Sequence, residues 1–132
     1  MTDSSEYAIP RIGNMSQAEI LLPYYKSSGE FGPVLYNAPE MCQGQNSDFK
    51  IDTWSFGVIL HFLLTGRFHV EETRDVEALQ NSICNFELDC QTLFNQGISH
   101  QALDLLQKCL VKVPSKRLTI RAALRHPWFK IM

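Results

Sequence analysis

The chain has 132 residues, is 45% hydrophobic and 11% aromatic, and carries a formal net charge of −2. That length suits one domain with one core, and the composition excludes an intrinsically disordered chain. The small net charge hides an asymmetry: from Gln101 onward seven Lys/Arg against one acid give +6, whereas the first hundred residues hold five Lys/Arg and thirteen acids, giving −8.

A basic tail can serve nucleic acid or an acidic lipid surface. Here the basic residues are interleaved with apolar ones and no recognition motif accompanies them, so they read as solvated helix faces and helix C-termini, with no nucleic-acid or membrane partner. Cys42, Cys84, Cys90 and Cys109 form no C-x-x-C pair and have no nearby His at zinc spacing. They read as buried free thiols in a reducing compartment. The acidic, polar start M-T-D-S-S-E does not resemble a signal peptide, so the expected location is cytoplasmic or nuclear.

Residues 1–37 are the least regular and form one expected region; residues 38–132 form a second, helical one. Within the first, Ser16-Gln17-Ala18-Glu19 has the form of a capping box before Ile20-Leu21-Leu22, and Pro23 closes any helix there after roughly two turns. A loop this long inside a compact domain is usually functional or disordered. A short helix is expected after Pro39.

Residues 48–66, D-F-K-I-D-T-W-S-F-G-V-I-L-H-F-L-L-T-G, are the expected organising element. Ile51, Trp54, Val58 and Phe62 fill one face at helical spacing, and Phe56, Ile59, Leu60, Leu63 and Leu64 fill the others. A helix hydrophobic all round is a buried one. Its apolar part falls short of the ~20 residues that cross a bilayer. Asp48 is the expected N-cap and Gly66 the C-terminal stop. Strand competes on composition, but the length favours helix. Asp52 would then be a buried carboxylate, costly unless it is paired or hydrogen-bonded.

Thr73 is the expected cap of a helix over 74–83 that buries Val76, Ala78, Leu79 and Ile83, and 84–98 reads as irregular. Ser99 is the expected cap of a helix over 100–111 with a Leu103, Leu106, Leu110 stripe, ended by Pro114. Thr119 is the expected cap of a short helix over 120–125 before His126-Pro127-Trp128-Phe129. The fold class is all-α, packed around a central buried helix at about 49–65.

These landmarks, in this order, resemble the C-terminal lobe of a eukaryotic protein kinase. Ala38-Pro39-Glu40 looks like the A-P-E that ends the activation segment. Asp52-Thr53-Trp54-Ser55-Phe56-Gly57 looks like the D-x-W-S-x-G of the lobe's central helix. Pro114-Ser115-Lys116-Arg117-Leu118-Thr119 looks like the P-x-K-R-x-T segment, and 123–129 like the closing A-L-x-H-P-W-F. That ending, with Ile98-Ser99, leans toward calcium/calmodulin-dependent and calcium-dependent kinases. The resemblance implies that Glu40 pairs with Arg117 and that Asp52 accepts amides from a catalytic loop. It also implies that Trp54 packs near Pro39, and that Gly32, Pro33, Val34 and Tyr36 belong to the loop receiving the substrate residue after the phosphoacceptor. Ser27 and Ser28 fall in the activation segment as candidate phosphosites.

The sequence also departs from the family. Pro33 and Val34 stand where relatives have Thr and Pro, and Val113 replaces a common Asp. There is no glycine-rich loop, no strand lysine with its helix glutamate, no H-R-D with its Asn, and no D-F-G. Phosphoryl transfer is nearly all positioning and charge stabilisation by those groups. Thr2-Asp3-Ser4-Ser5 falls roughly where D-F-G would, as a degenerate metal corner or an acidic terminus. The expectation is a fragment of a serine/threonine kinase that contributes to phosphorylation only within a longer chain and is inactive alone. ATP and Mg would bind only if the missing parts exist there. Its partners would be a protein substrate, the missing kinase N-lobe, or itself through exposed apolar surface. The alternative is a pseudokinase-like interaction module.

Overall fold

A computed structural model describes residues 11–13, 15–18, 20 and 32–130. The described residues are helical and contain no strand. A 3-10 turn at Met15–Gln17 replaces the expected start of a capped helix, with Ser16 inside the turn rather than ahead of it. Most of that expected helix, with Pro23, lies outside the described residues.

A second 3-10 turn, Val34–Tyr36, leads into α1, Pro39–Cys42. Proline at the first helical position lacks only an amide that would have no partner there anyway. The longest helix is α2, Lys50–Thr65. It is anchored at its start by Asp48 Oδ1, which accepts from the Lys50 amide at 2.8 Å. It stops at Gly66, whose left-handed φ of 71° lets its amide close on the Phe62 carbonyl, a conformation that suits glycine.

Three further helices follow: α3, Val76–Asn85, α4, Cys90–Asn95, and α5, His100–Cys109. Asp75, Asp89 and Ser99 cap them through side-chain acceptors for the third helical amide. The start of α3 therefore differs from expectation. Thr73 instead accepts from the Asp75 amide, and Asp75 is the residue next to the helix. Val76 and Ala78 are consequently exposed rather than buried. The α4 turn lies inside a stretch expected to be irregular. α5 closes at Leu110, ahead of Pro114. Last comes α6, Ile120–Ala123, capped by Thr119, and a 3-10 turn over Pro127–Lys130.

The core gathers Ala38, Trp54, Val58, Leu79, Ile83, Leu105, Leu106 and Cys109 around α2 and α5. Gly57 permits that approach: a Cβ there would lie 2.8 Å from Leu110 Cδ2 and 3.0 Å from Cys109 Cβ. α2 is not buried all round, however. α5, α6 and the 34–36 turn cover part of it, whereas Ile59, Phe62 and Leu63 are 47%, 40% and 74% exposed. Side-chain hydrophobicity does not itself provide a covering element: Phe68 stacks on Phe62 with ring centroids 4.7 Å apart, but no described helix covers Ile59 and Leu63. No described helix is long and apolar enough to cross a membrane.

Candidate functional site

The best-defined polar constellation joins residues 77 positions apart. Arg117 donates from one terminal nitrogen to Glu40 Oε1 at 2.6 Å and from the other to Oε2 at 2.8 Å. The two side chains are 0% and 2% exposed. Arg117 Nε also donates to the Val111 carbonyl at 2.8 Å, and the terminal nitrogens donate to the carbonyls of Lys50 and Lys112 at 3.1 and 3.3 Å. These five bonds use the full donor fork of a guanidinium. Burial of two charges is tolerated because every donor finds an oxygen.

The clamp is built from three chain segments. α1 presents Glu40, the first turn of α2 presents the Lys50 carbonyl, and the turn after α5 presents Arg117 and its two nearer carbonyls. Lys50 doubles the connection, with Nζ donating to the carbonyls of Pro114 and Ser115 at 2.9 and 3.3 Å. The Arg117 guanidinium lies 5.2 Å above the Trp54 ring, within cation–π range. Cys109, buried nearby, has its thiol pushed up to about 12 by burial, with the Arg117 charge opposing the shift.

Around Trp54 lies a second, sparsely bonded group. Trp54 Nε1, Thr53 Oγ1, Asn37 Nδ2 and both ring nitrogens of His69 are buried without a hydrogen-bond partner among the described residues. His69 sits edge-on to Trp54 and Phe86, with ring centroids 5.9 and 4.9 Å away. Burial, and secondarily the nearby His61, pull its pKa down to about 4. Sequence reasoning missed His69, Asn37 and Lys50, since none carries a periodicity or spacing signal. It also missed Asp104, whose Oδ2 sits 2.8 Å from His126 Nε2 and accepts from Lys108 at 2.7 Å.

Asp52 does not fit its expected role as a buried residue. It is exposed on the first turn of α2, and partial burial raises its carboxyl above the usual carboxylate value. It lies on the side of α2 that continues to Ile59 and Leu63, which no described element covers. Trp54 is fully buried and packs in the same cluster as Ala38. Gly32 and Pro33 are exposed, and Val34 and Tyr36 are half-buried. The turn they form is tied to α2 by Ser55 Oγ, which donates to the Tyr36 carbonyl at 2.9 Å. Ser27 and Ser28, and Thr2-Asp3-Ser4-Ser5, lie outside the described residues. The four cysteines form no disulfide, and only Cys109 is fully buried; Cys42, Cys84 and Cys90 are half-buried.

Among the described residues, a strand-free array of helices pinned by an internal guanidinium–carboxylate clamp forms a scaffold, with no assembled cluster of reactive side chains. Comparison with known families assigns that scaffold. Residues 13–129 match the protein kinase domain, and the chain belongs to that family. It is 37% identical over 131 residues to the serine/threonine-protein kinase ATG1b of Arabidopsis thaliana, covering 96% of this chain and 18% of that protein. It is 36% identical over 108 residues to calcium/calmodulin-dependent protein kinase type I of Schizosaccharomyces pombe, covering 80% of this chain and 31% of that one. It is 35% identical over 107 residues to mouse myosin light chain kinase family member 4, covering 80% and 27% respectively. The chain thus spans less than a third of the length of each of these relatives.

Proposed function

We propose that this chain is a C-lobe portion of a serine/threonine protein kinase, serving protein phosphorylation only when joined to the remainder of a kinase domain. The observation that carries this reading is the buried Glu40–Arg117 clamp. It links the A-P-E turn to the P-x-K-R-x-T segment inside a stretch matched by the kinase family. The 34–36 turn, hung from Ser55, is then the platform for a protein substrate. Kinship to calcium/calmodulin-dependent kinases is supported by the A-L-x-H-P-W-F ending and by one of the relatives named above.

The residues present do not fit a nucleotide and its metal. The sequence supplies no glycine loop and no lysine–glutamate pair. Among the described residues no three His, Cys, Asp or Glu side chains converge as ligands. On this reading ATP and Mg bind only with groups contributed by the rest of a kinase domain. The test joins the chain, through residue 13, to the preceding kinase segment of a relative such as ATG1b. The isolated chain should show no thermal shift with Mg-ATP and no transfer of labelled phosphate to a generic protein substrate, and the folded chimera should show both. Transfer by the isolated chain, or a folded chimera blind to Mg-ATP, would sink the reading.

A second reading, a pseudokinase-like interaction module, is favoured by the partly exposed Ile59 and Leu63 on α2. Apolar patches of this kind tend to mark contact surfaces. Light scattering on the full chain tests it: association that the double variant Ile59→Glu/Leu63→Glu abolishes supports this reading, and a monomer throughout removes it.

A further inference from the structure

We propose that Cys42 and Cys84 are the two halves of a reversible redox cross-link tying the one-turn helix that carries Glu40 to α3. Cys84 Sγ lies 3.8 Å from the carbonyl oxygen of Pro39, the first residue of α1. Cys42 is the last residue of the same turn, and its amide closes on the Ala38 carbonyl at 3.2 Å. In such a turn the γ-atom of a short side chain reaches the carbonyl three or four residues back. For Cys42 those carbonyls belong to Pro39 and Ala38. The carbonyl that Cys84 Sγ approaches therefore belongs to the residue three before Cys42 in the same turn, and α1 packs directly on α3. A disulfide asks for Cα atoms about 4.4–6.8 Å apart and staggered side chains turned toward each other; the contact of α1 with α3 brings the two backbones together, and χ1 rotation turns the sulfurs.

The other two thiols are poorer candidates. Cys109 is fully buried against α2. Cys90 sits in the groove between α4 and α5, with Phe94, His100 and Leu103. Cys42 and Cys84 are both half-buried, so a small disulfide reagent can reach them as the surface opens locally.

The chemistry balances with a low-molecular-weight disulfide such as oxidised glutathione as oxidant. One cysteine thiolate attacks a glutathione sulfur, the glutathione S–S bond breaks, and one glutathione thiolate leaves. The second cysteine thiolate then attacks the protein sulfur of the mixed disulfide and expels the other glutathione. The two thiol protons end on the two released glutathiones, and the protein is oxidised by two electrons. Because the 34–36 turn also packs on α3, the cross-link would hold that turn and Glu40 on one rigid unit.

The experiment incubates the full 132-residue chain with oxidised glutathione under native conditions, traps remaining thiols with N-ethylmaleimide, and maps peptides by mass spectrometry. The expected product carries no N-ethylmaleimide on Cys42 or Cys84, contains a linked Cys42–Cys84 peptide, and reverts with dithiothreitol. Cys84→Ser should retain a single glutathione on Cys42, and Cys90→Ser, which keeps both partners, should form the same link as the parent. The proposal is overturned if the parent chain keeps glutathione on either residue without closing, if Cys42 or Cys84 pairs with Cys90 instead, or if both stay fully alkylatable.

Discussion

Glu40 and Arg117 show why a buried ion pair is best judged by what its removal strands. Glu40→Gln leaves a guanidinium without its carboxylate in a site sealed from water, with an expected loss of roughly 3–5 kcal/mol in urea unfolding at pH 7. Arg117→Lys keeps the charge but loses the planar fork, and should also destabilise. The double variant Glu40→Gln/Arg117→Met should be less unstable than the two singles summed, because no charge is left unpaired; simple additivity would remove the coupling. Asp52 is the counter-case at the same scale. Being exposed, it should tolerate Ala within about 0.5 kcal/mol. The sequence made the partners in the clamp legible only through the order of motifs, since 77 residues separate them. Asp52 was misjudged because burial depends on what covers a helix face, and residue type does not reveal that.

At the level of elements, caps were legible where one oxygen-bearing side chain stood alone before an apolar stripe. Ser99 and Thr119 are of this kind, and each accepts from the amide three residues on. Thr73 was expected to cap α3, but Asp75 two residues on holds that position, and spacing alone did not reveal it. α4 has only six residues, too few for periodicity to register, although Asp89 and Thr92 form a local cap that could have flagged it. Ser99→Ala should cost about 1 kcal/mol, and because α5 carries much of the core the loss should appear as a lower midpoint of the whole unfolding transition. The α2–α5 contact should be less forgiving. Gly57→Ala places a methyl 2.8 Å from Leu110 Cδ2 and 3.0 Å from Cys109 Cβ. Overpacking of this sort costs typically about 1–3 kcal/mol. Pairing it with Leu110→Val should recover part of that loss; an unchanged midpoint for Gly57→Ala alone would mean that the two helices can slide apart freely.

For the molecule as a whole, the buried histidines set the response to acid. His69 is wedged between Trp54 of α2 and Phe86, just past the end of α3, with neither ring nitrogen bonded among the described residues. Its pKa is drawn down to about 4 by burial and then by His61. His61 is itself lowered by burial, against the opposing bond from its ring to the Arg67 carbonyl. In the unfolded chain both titrate near the ordinary value of about 6.5. Between those limits the unfolded state binds more protons than the folded one, so stability must fall as pH drops. The decline should begin near pH 6.5 and level off for His69 near pH 4. Asp89 and Asp104 are lowered too, but toward the charged form, their carboxyls held low by hydrogen bonds from Thr92 and Lys108 respectively; their contributions fade only at lower pH, as the carboxylates protonate. Urea midpoints measured from pH 7.5 to 4.5 should therefore decrease steadily, and the decrease should shrink in His69→Phe, which keeps an aromatic ring between Trp54 and Phe86 but takes up no proton. A flat profile in the parent chain, or an equal slope in the variant, would mean that water or another group reaches His69 and that the aromatic wedge does not govern acid sensitivity.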